Sequence, residues 1–252
     1  MNPVQLEERA PRQVVVPGPS GDVAKRSFIQ RLFTDIAPRY DWFNRLASFG
    51  LDQRWRREAI RRGGIGPGQR VLDVCAGTGD LAILCAQRLR KEGMVVGIDF
   101  TEAMLTHAKH KQQARRLQIA WLRGDALSLP FADASFDRVI IGFSTRNLAD
   151  LTAGLREMVR VLRSQGRLIV LETGHPANPV IRAGYQAFLF TMARTIGFLL
   201  TGRCWPFTYL ARSVRQFLTP QEFIARLQQL GASAVYVPLS GGLASLYLAT
   251  KP

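Results

Sequence analysis

The sequence predicts an α/β fold: a doubly wound, mainly parallel seven-stranded sheet with an antiparallel C-terminal hairpin and an N-terminal helical cap. Three observations carry this. Short apolar runs alternate with helical repeats between residues 71 and 172, the pattern of parallel strands joined by helices. A glycine turn, Gly77-Thr78-Gly79, follows the first strand, and Asp99 ends the second strand twenty residues after Gly79. Two further strands, Ser233 to Val237 and Leu243 to Thr250, flank the turn Ser240-Gly241-Gly242.

Residues 1–22 are rich in Pro, Gly and charge without periodicity and read as a flexible tail. The remaining 23–252 read as one domain, with a cap at 23–66 and a helical insertion at 176–218. In the cap, Phe28, Ile29, Leu32, Phe33 and Ile36 recur at helical spacing until Pro38 interrupts them. Arg39 to Leu46 begins a second helical stretch, Ser48 to Asp52 a turn, and Gln53 to Arg62 a basic helix carrying Trp55. Aromatics in such a run are usually packing, but the polar pair Tyr40-Asp41 stands out. Gly63 to Gly68 is the linker into the sheet.

Val71 to Cys75 is the first strand, and Asp80, Leu81, Leu84 and Cys85 open the helix behind the glycine turn. Met94 to Ile98 is the second strand, Glu102 to Gln113 a helix, and Leu117 to Leu122 the third strand, running into Asp125 and Ala126. Phe136 to Gly142 is the fourth strand, followed by Phe143-Ser144-Thr145-Arg146-Asn147. A helix over Leu151 to Leu162, a turn at Ser164-Gln165-Gly166 and a fifth strand over Arg167 to Glu172 complete the parallel part. Thr219 and Glu222 have capping-box spacing for a helix that ends at Gly231. Asp73, Asp99, Asp125 and the Gly142–Asn147 segment therefore converge on the carboxyl ends of the strands, where such sheets bind ligands.

A carboxylate at Asp99 suits the two hydroxyls of a ribose, so the site reads as one for a nucleoside cofactor. Gly77-x-Gly79-x-x-Ala82 also fits a dinucleotide loop. Asp73 opposes that choice, because a carboxylate there would repel a pyrophosphate and attract the sulfonium and ammonium of S-adenosylmethionine.

Composition is that of a globular protein, except for a formal net charge of +15. Arg182, Arg194, Arg203, Arg212, Arg215 and Arg226 face few acids late in the chain. That excess suits an anionic partner, nucleic acid or a membrane surface, and equally a solvated arginine-rich face. Cys75, Cys85 and Cys204 lack metal-ligand spacing, and His107 and His110 have no third ligand near them in sequence, so no metal is expected. No signal-peptide pattern is visible, and a reducing, cytoplasmic setting is expected. Val180 to Leu200 is nearly all apolar but is broken by Arg182, Gln186 and Arg194. It reads as a helix lining an apolar pocket, lying in a membrane interface, or buried in the core, and not as a span.

Several segments resemble the ubiquinone/menaquinone-biosynthesis C-methyltransferases: Ile36-Ala-Pro38-Arg39-Tyr40-Asp41, Ser48-Phe-Gly-Leu-Asp52, Leu72 to Asp80, Leu129-Pro-Phe131, Phe143 to Asn147, and Arg160 to Glu172. The resemblance runs from about Phe33 to the C-terminus. It implies a class I methyltransferase fold and transfer of a methyl group from S-adenosylmethionine to a ring carbon of a prenylated quinol. Carried over by motif, Thr78 with Gly77 and Gly79 would approach the methionine part, Asp99 the ribose, and Asp125 with Ala126 the adenine edge. Gly142 stands where the family often has Ser, and Phe143-Ser144-Thr145 replaces the usual Phe-Gly-Leu before Arg146-Asn147. The resemblance makes Arg146, Asn147 and Tyr40 the catalytic candidates, with a salt bridge to Asp150 the alternative for Arg146. The prenyl tail would lie along 179–203. The implied setting is peripheral contact with an inner or thylakoid membrane face, no nucleic-acid partner, and a homodimer left open. Methylation of nucleic acid, of sterols or tocopherols, and a non-enzymatic binding role are the competing readings.

Overall fold

The sheet of the computed structural model runs in the order β3-β2-β1-β4-β5-β7-β6, and residues 22–90, 92–202 and 205–252 are described. Its strands are β1 (Arg70–Val74), β2 (Met94–Asp99), β3 (Ala120–Arg123), β4 (Phe136–Gly142), β5 (Leu162–Thr173), β6 (Ser233–Leu239) and β7 (Ala244–Thr250). The first five pair in parallel, and β7 lies antiparallel between β5 and β6. Strand order reverses between β1 and β4, which opens a crevice beyond their carboxyl ends.

Alternation along the strands sorts the core into two layers. Leu72, Val74, Val139, Ile141, Leu168 and Val170 pack on α6 (Leu151–Arg160) and α9 (Pro220–Gln229). Val71, Ile140, Ile169 and Leu171 pack on α3 (Leu51–Gly63) and α4 (Asp80–Leu89). Asp73 falls in the second set, which aims its carboxyl at α4. On the outer side, α1 (Asp22–Ile36) and α2 (Tyr40–Ala47) share an apolar cluster with Met104 of α5 (Glu102–Ala114) and Phe207 of α8 (Trp205–Gln216). The long apolar stretch is α7 (Pro179–Thr201), started by Asn178, whose side chain accepts from the amides of Val180 and Ile181.

Several boundaries differ from the sequence reading, four of them for identifiable reasons. Helix α3 begins at Leu51, because Gly50 takes a left-handed conformation and Ser48 Oγ accepts from the amide of Asp52. Strand β3 starts three residues late, since Leu117 is still engaged with Gln112 at the end of α5. The expected turn at Ser164-Gln165-Gly166 is an irregularity inside β5, where the register passes from Phe136–Leu162 to Arg138–Arg167. Gln165 there has φ +60° and donates its amide to Lys251, so the turn residues make a bulge. Strand β6 continues through Pro238, which an edge strand tolerates. The Thr219–Glu222 capping box forms as its spacing requires. The expected tail over 1–22 lies outside the described residues except for Asp22, as do Arg203 and Cys204.

Candidate functional site

The turn after β1 is held by the carboxylates that the sequence placed at the strand ends. Asp99 accepts from the amides of Gly77 and Thr101, both at 2.8 Å, so it fixes the glycine turn as well as facing the crevice. Asp73 is 1 % exposed. Its Oδ2 accepts from Ala82 in the first turn of α4 at 2.8 Å. Its Oδ1 is buried and has no hydrogen-bond partner among the described residues. Burial pushes the Asp73 carboxyl up to about 8, the Ala82 bond opposes this, and the neighbouring Asp99 adds to it. Near neutral pH the group is therefore largely protonated until a cation arrives. Fixed repulsion of a phosphate, the premise of the sequence argument, is not a property of the free site. Burial raises the Asp99 carboxyl too, against the pull of its backbone hydrogen bonds.

A cavity of ≈ 510 Å³ opens here, lined by Asp73, Gly77, Thr78, Asp99, Asp125, Ala126 and Gly142. Gly79 is not among its walls. A Cβ on Gly79 would stand 2.6 Å from the Trp121 ring, and its φ is +83°, so this glycine serves the turn and the packing behind it. Asp125 is partly closed off by an ion pair with Arg26 of α1, and its Oδ1 accepts from Leu127. Thr78 donates its hydroxyl to Asp41 at 2.5 Å. Lys111 of α5 donates to Asp41 at 2.8 Å and to Thr78 at 3.2 Å, and also pairs with Asp80. This cluster fastens α2 onto the glycine turn. Asp41 stands out in the sequence as a charge in an aromatic run, whereas Lys111 looks like any solvated helix lysine.

A second cavity of ≈ 390 Å³ adjoins the first and is mainly apolar, lined by Leu32, Ile36, Phe43, Phe188, Leu189 and Phe207 among others. Phe33, Tyr40, Arg56 and Asn147 line both cavities and so form the wall between them. Arg146 lines the apolar one. Its partner is Glu172 at the end of β5, and Nη1 also donates to the Phe143 carbonyl at 2.6 Å. The alternative reading of Arg146, a bridge to Asp150, is not what forms, because Asp150 caps α6 by accepting from Ala153. Arg146 Nε is buried and unpartnered among the described residues. Asn147 Oδ1 accepts from Tyr209 at 3.2 Å, which leaves its NH₂ for a ligand. Burial raises the Tyr40 phenol, while Asn44, Arg56 and Arg146 pull it back, so it stays a hydrogen-bond donor. Burial pushes the Tyr185 and Tyr209 phenols up to about 12, with Arg146 opposing. Glu172 ends a strand like the other site carboxylates, and the strand-end rule extends to it.

No group of three or more His, Cys, Asp or Glu among the described residues is arranged to hold a metal. No helix among them is long and apolar enough to cross a membrane.

The ubiE/COQ5 methyltransferase family model matches residues 22–251. A demethylmenaquinone methyltransferase of Thermus thermophilus is 40% identical, over 88% of this chain and 100% of its own. Another from Deinococcus radiodurans is 40% identical over 92% and 97%. A ubiquinone/menaquinone biosynthesis C-methyltransferase of Geotalea uraniireducens is 37% identical over 88% and 96%. Among solved structures, a putative S-adenosylmethionine-dependent methyltransferase of Methanococcus maripaludis superposes with TM-score 0.61 at 21% identity, covering 86% of this chain and 93% of that one. One from Aquifex aeolicus gives 0.59 at 18% identity, over 78% and 89%. These two share the class I methyltransferase fold. With its match across both cavities and every strand, the chain belongs to the ubiE/COQ5 methyltransferase family, whose members are S-adenosylmethionine-dependent methyltransferases.

Proposed function

We propose that the protein methylates a ring carbon of a prenylated quinol in quinone biosynthesis. The candidate substrates are demethylmenaquinol, 2-phytyl-1,4-naphthoquinol and the ubiquinone precursor. The observation that carries the reading is the wall of Tyr40, Arg56 and Asn147 between a polar cavity at the glycine turn and an apolar one. Such a wall sets a cofactor in one chamber against an oily ring in the other.

The polar chamber fits S-adenosylmethionine by its donor set. The unpartnered Asp73 Oδ1 offers an acceptor to a cation, and Asp99 keeps free lone pairs for a ribose. Thr78 with Gly77 would meet the methionine part, Asp125 and Ala126 the adenine edge, and Gly142 the floor of the crevice. The cofactor supplies an electrophilic sulfonium methyl when bound. The chain's own task is to make the ring carbon nucleophilic and hold it still. A quinol oxygen in the apolar chamber that gives up its proton to water pushes electron density onto its ortho carbon. The free Nε of Arg146 and the NH₂ of Asn147 would stabilise that oxyanion, with the Tyr40 hydroxyl as a third donor. Arg146 is not the base, since guanidinium stays protonated. Glu172 balances its charge and fixes its position.

Peripheral membrane contact belongs to the same proposal, in a cytoplasmic protein at an inner or thylakoid membrane face. Trp42 is 67 % exposed and Phe49 79 % beside the apolar chamber, and Val180 and Leu199 of α7 are equally open. No Asp or Glu occurs from Thr173 to Gln221, whereas Arg182, Arg194, Arg212 and Arg215 do. Apolar side chains among arginines suit an anionic lipid surface. The test of the whole reading is transfer of a labelled methyl group from S-adenosylmethionine to a ring carbon of a reduced prenylated quinone.

A further inference from the structure

The end of the polar cavity nearest the glycine turn carries two buried ionisable side chains, the acid Asp73 and the base Arg56. Arg56, on α3, is 5 % exposed and lines both chambers. Its Nη1 pairs with Asp52, its Nε lies 3.8 Å from Asp80, and its plane rests over the Phe143 ring at 5.3 Å. The two ion contacts leave Nη2 unused. The other cations on this cavity's wall are Arg26, which pairs with Asp125, and Arg123, which precedes Gly124-Asp125 at the end of β3. Both stand at the Asp125 end; at the glycine-turn end Arg56 is the cation on the cavity wall, while Lys111 reaches Thr78 and Asp80 without lining it.

A ligand that ends there in an α-amino acid brings an ammonium and a carboxylate together. The free Oδ1 of Asp73 suits the ammonium. The carboxylate would meet Asp80, which lines the same end. Burial acts against ionisation of Asp80, but Arg56 and Lys111 outweigh it and hold the carboxyl below its ordinary range, so it is charged. Only a cation set between them makes the site tolerant of a second carboxylate. We infer that Arg56 is the counter-ion of the α-carboxylate on the cofactor's methionine moiety, opposite Asp73, which takes the α-ammonium. This rests on the S-adenosylmethionine reading of the cavity and adds a binding residue to it. A buried pair with Asp52 alone would be a poor reason for an arginine here, since an apolar pair of similar volume costs less to bury.

The test is a calorimetric titration with S-adenosylmethionine and with its decarboxylated analogue, which keeps the sulfonium and the amine. The wild-type protein should prefer the carboxylate-bearing compound by roughly 10- to 100-fold, the range of a charged hydrogen bond. Arg56→Gln should shrink that preference to about 3-fold or less by weakening S-adenosylmethionine and leaving the analogue unchanged. Arg56→Lys should retain part of it. The double variant Asp52→Asn/Arg56→Gln removes the buried charge left behind, and should lose the preference as the single variant does while melting close to wild type. Equal weakening of both compounds in Arg56→Gln, or an unaltered preference in both variants, would overturn the inference. Wild-type binding of both compounds with equal affinity would overturn it while leaving the cofactor intact. Wild-type binding of neither would bring down the cofactor reading itself.

Discussion

The guanidinium of Arg146 is anchored by Glu172, a 0 %-exposed carboxylate at the end of β5, which also accepts from the hydroxyl of Thr145 at 2.7 Å. The pair ties the segment after β4 to the next strand and leaves Nε without a hydrogen-bond partner among the described residues, in a residue that lines the apolar chamber. Arg146→Ala should therefore lower kcat by about 10²- to 10³-fold, the usual cost of an oxyanion donor. The Kd for S-adenosylmethionine should stay within a few-fold of wild type, because Arg146 does not line the polar cavity. Glu172→Gln strips the counter-charge from a buried cation and should cost about 3–5 kcal/mol in urea unfolding. Parallel loss of cofactor binding and turnover in Arg146→Ala would contradict the division of labour between the chambers.

Asp73 sets a pH dependence of its own. Its carboxyl sits at about 8 in the free protein, and a bound cation favours the ionised form. Below that value, uptake of S-adenosylmethionine must release a proton. Affinity should rise between pH 6 and pH 8 and level off above, and Asp73→Asn should bind weakly with a flat profile. The free protein behaves in the opposite sense. A folded value raised above the unfolded one makes stability highest at low pH, within the folded range, and lost as pH climbs through about 8. The slope for one proton is about 1.4 kcal/mol per pH unit, and Asp73→Asn should remove it. Asp99, shifted in the same direction, contributes with the same sign.

Gly79 separates packing from ligand contact in the glycine turn. Gly79→Ala would put a methyl group against the Trp121 ring on a left-handed backbone. A loss of about 1–3 kcal/mol in thermal or urea unfolding is expected. Gly77→Ala meets no atom within 4 Å, so only its left-handed backbone (φ +55°) costs stability, and because Gly77 lines the cavity the larger loss should be in cofactor binding.

The lipid-facing proposal concerns Phe49 and Leu199, both more than three-quarters exposed. In a sedimentation assay the protein should bind vesicles containing phosphatidylglycerol and ignore pure phosphatidylcholine. Phe49→Ser/Leu199→Ser should reduce the bound fraction by several-fold at unchanged melting temperature. Binding that ignores both the anionic lipid and these substitutions would discard the membrane contact. A concentration-dependent mass of two chains that the same substitutions abolish would reassign the face to a dimer.

How far the sequence could be read follows from where each residue's partners lie. Asp73, Asp99, Asp125 and Gly142 were legible because strand ends converge by topology alone, whatever their neighbours do. Arg56 and Lys111 were not, since their roles exist only once α2 and α3 are laid across the glycine turn, which brings Asp41 to Lys111 and Arg56 to Asp80. The Arg146 partner, Glu172, was not legible for the same reason: Asp150 was the acid near in sequence, but its carboxylate is spent on capping α6. The charge of Asp73 was assumed where burial decides it. At Gly166 the residues of a turn were read correctly, and only pairing with Lys251 shows that they bulge a strand.

Incubating the protein with methyl-labelled S-adenosylmethionine and each reduced quinone in turn, then weighing the product, tests the central claim most directly. One prenylated quinol should gain a single labelled methyl on a ring carbon, and Arg146→Ala should bind the cofactor without making product. Label found on oxygen, or on none of the quinols while the cofactor binds, would contradict it.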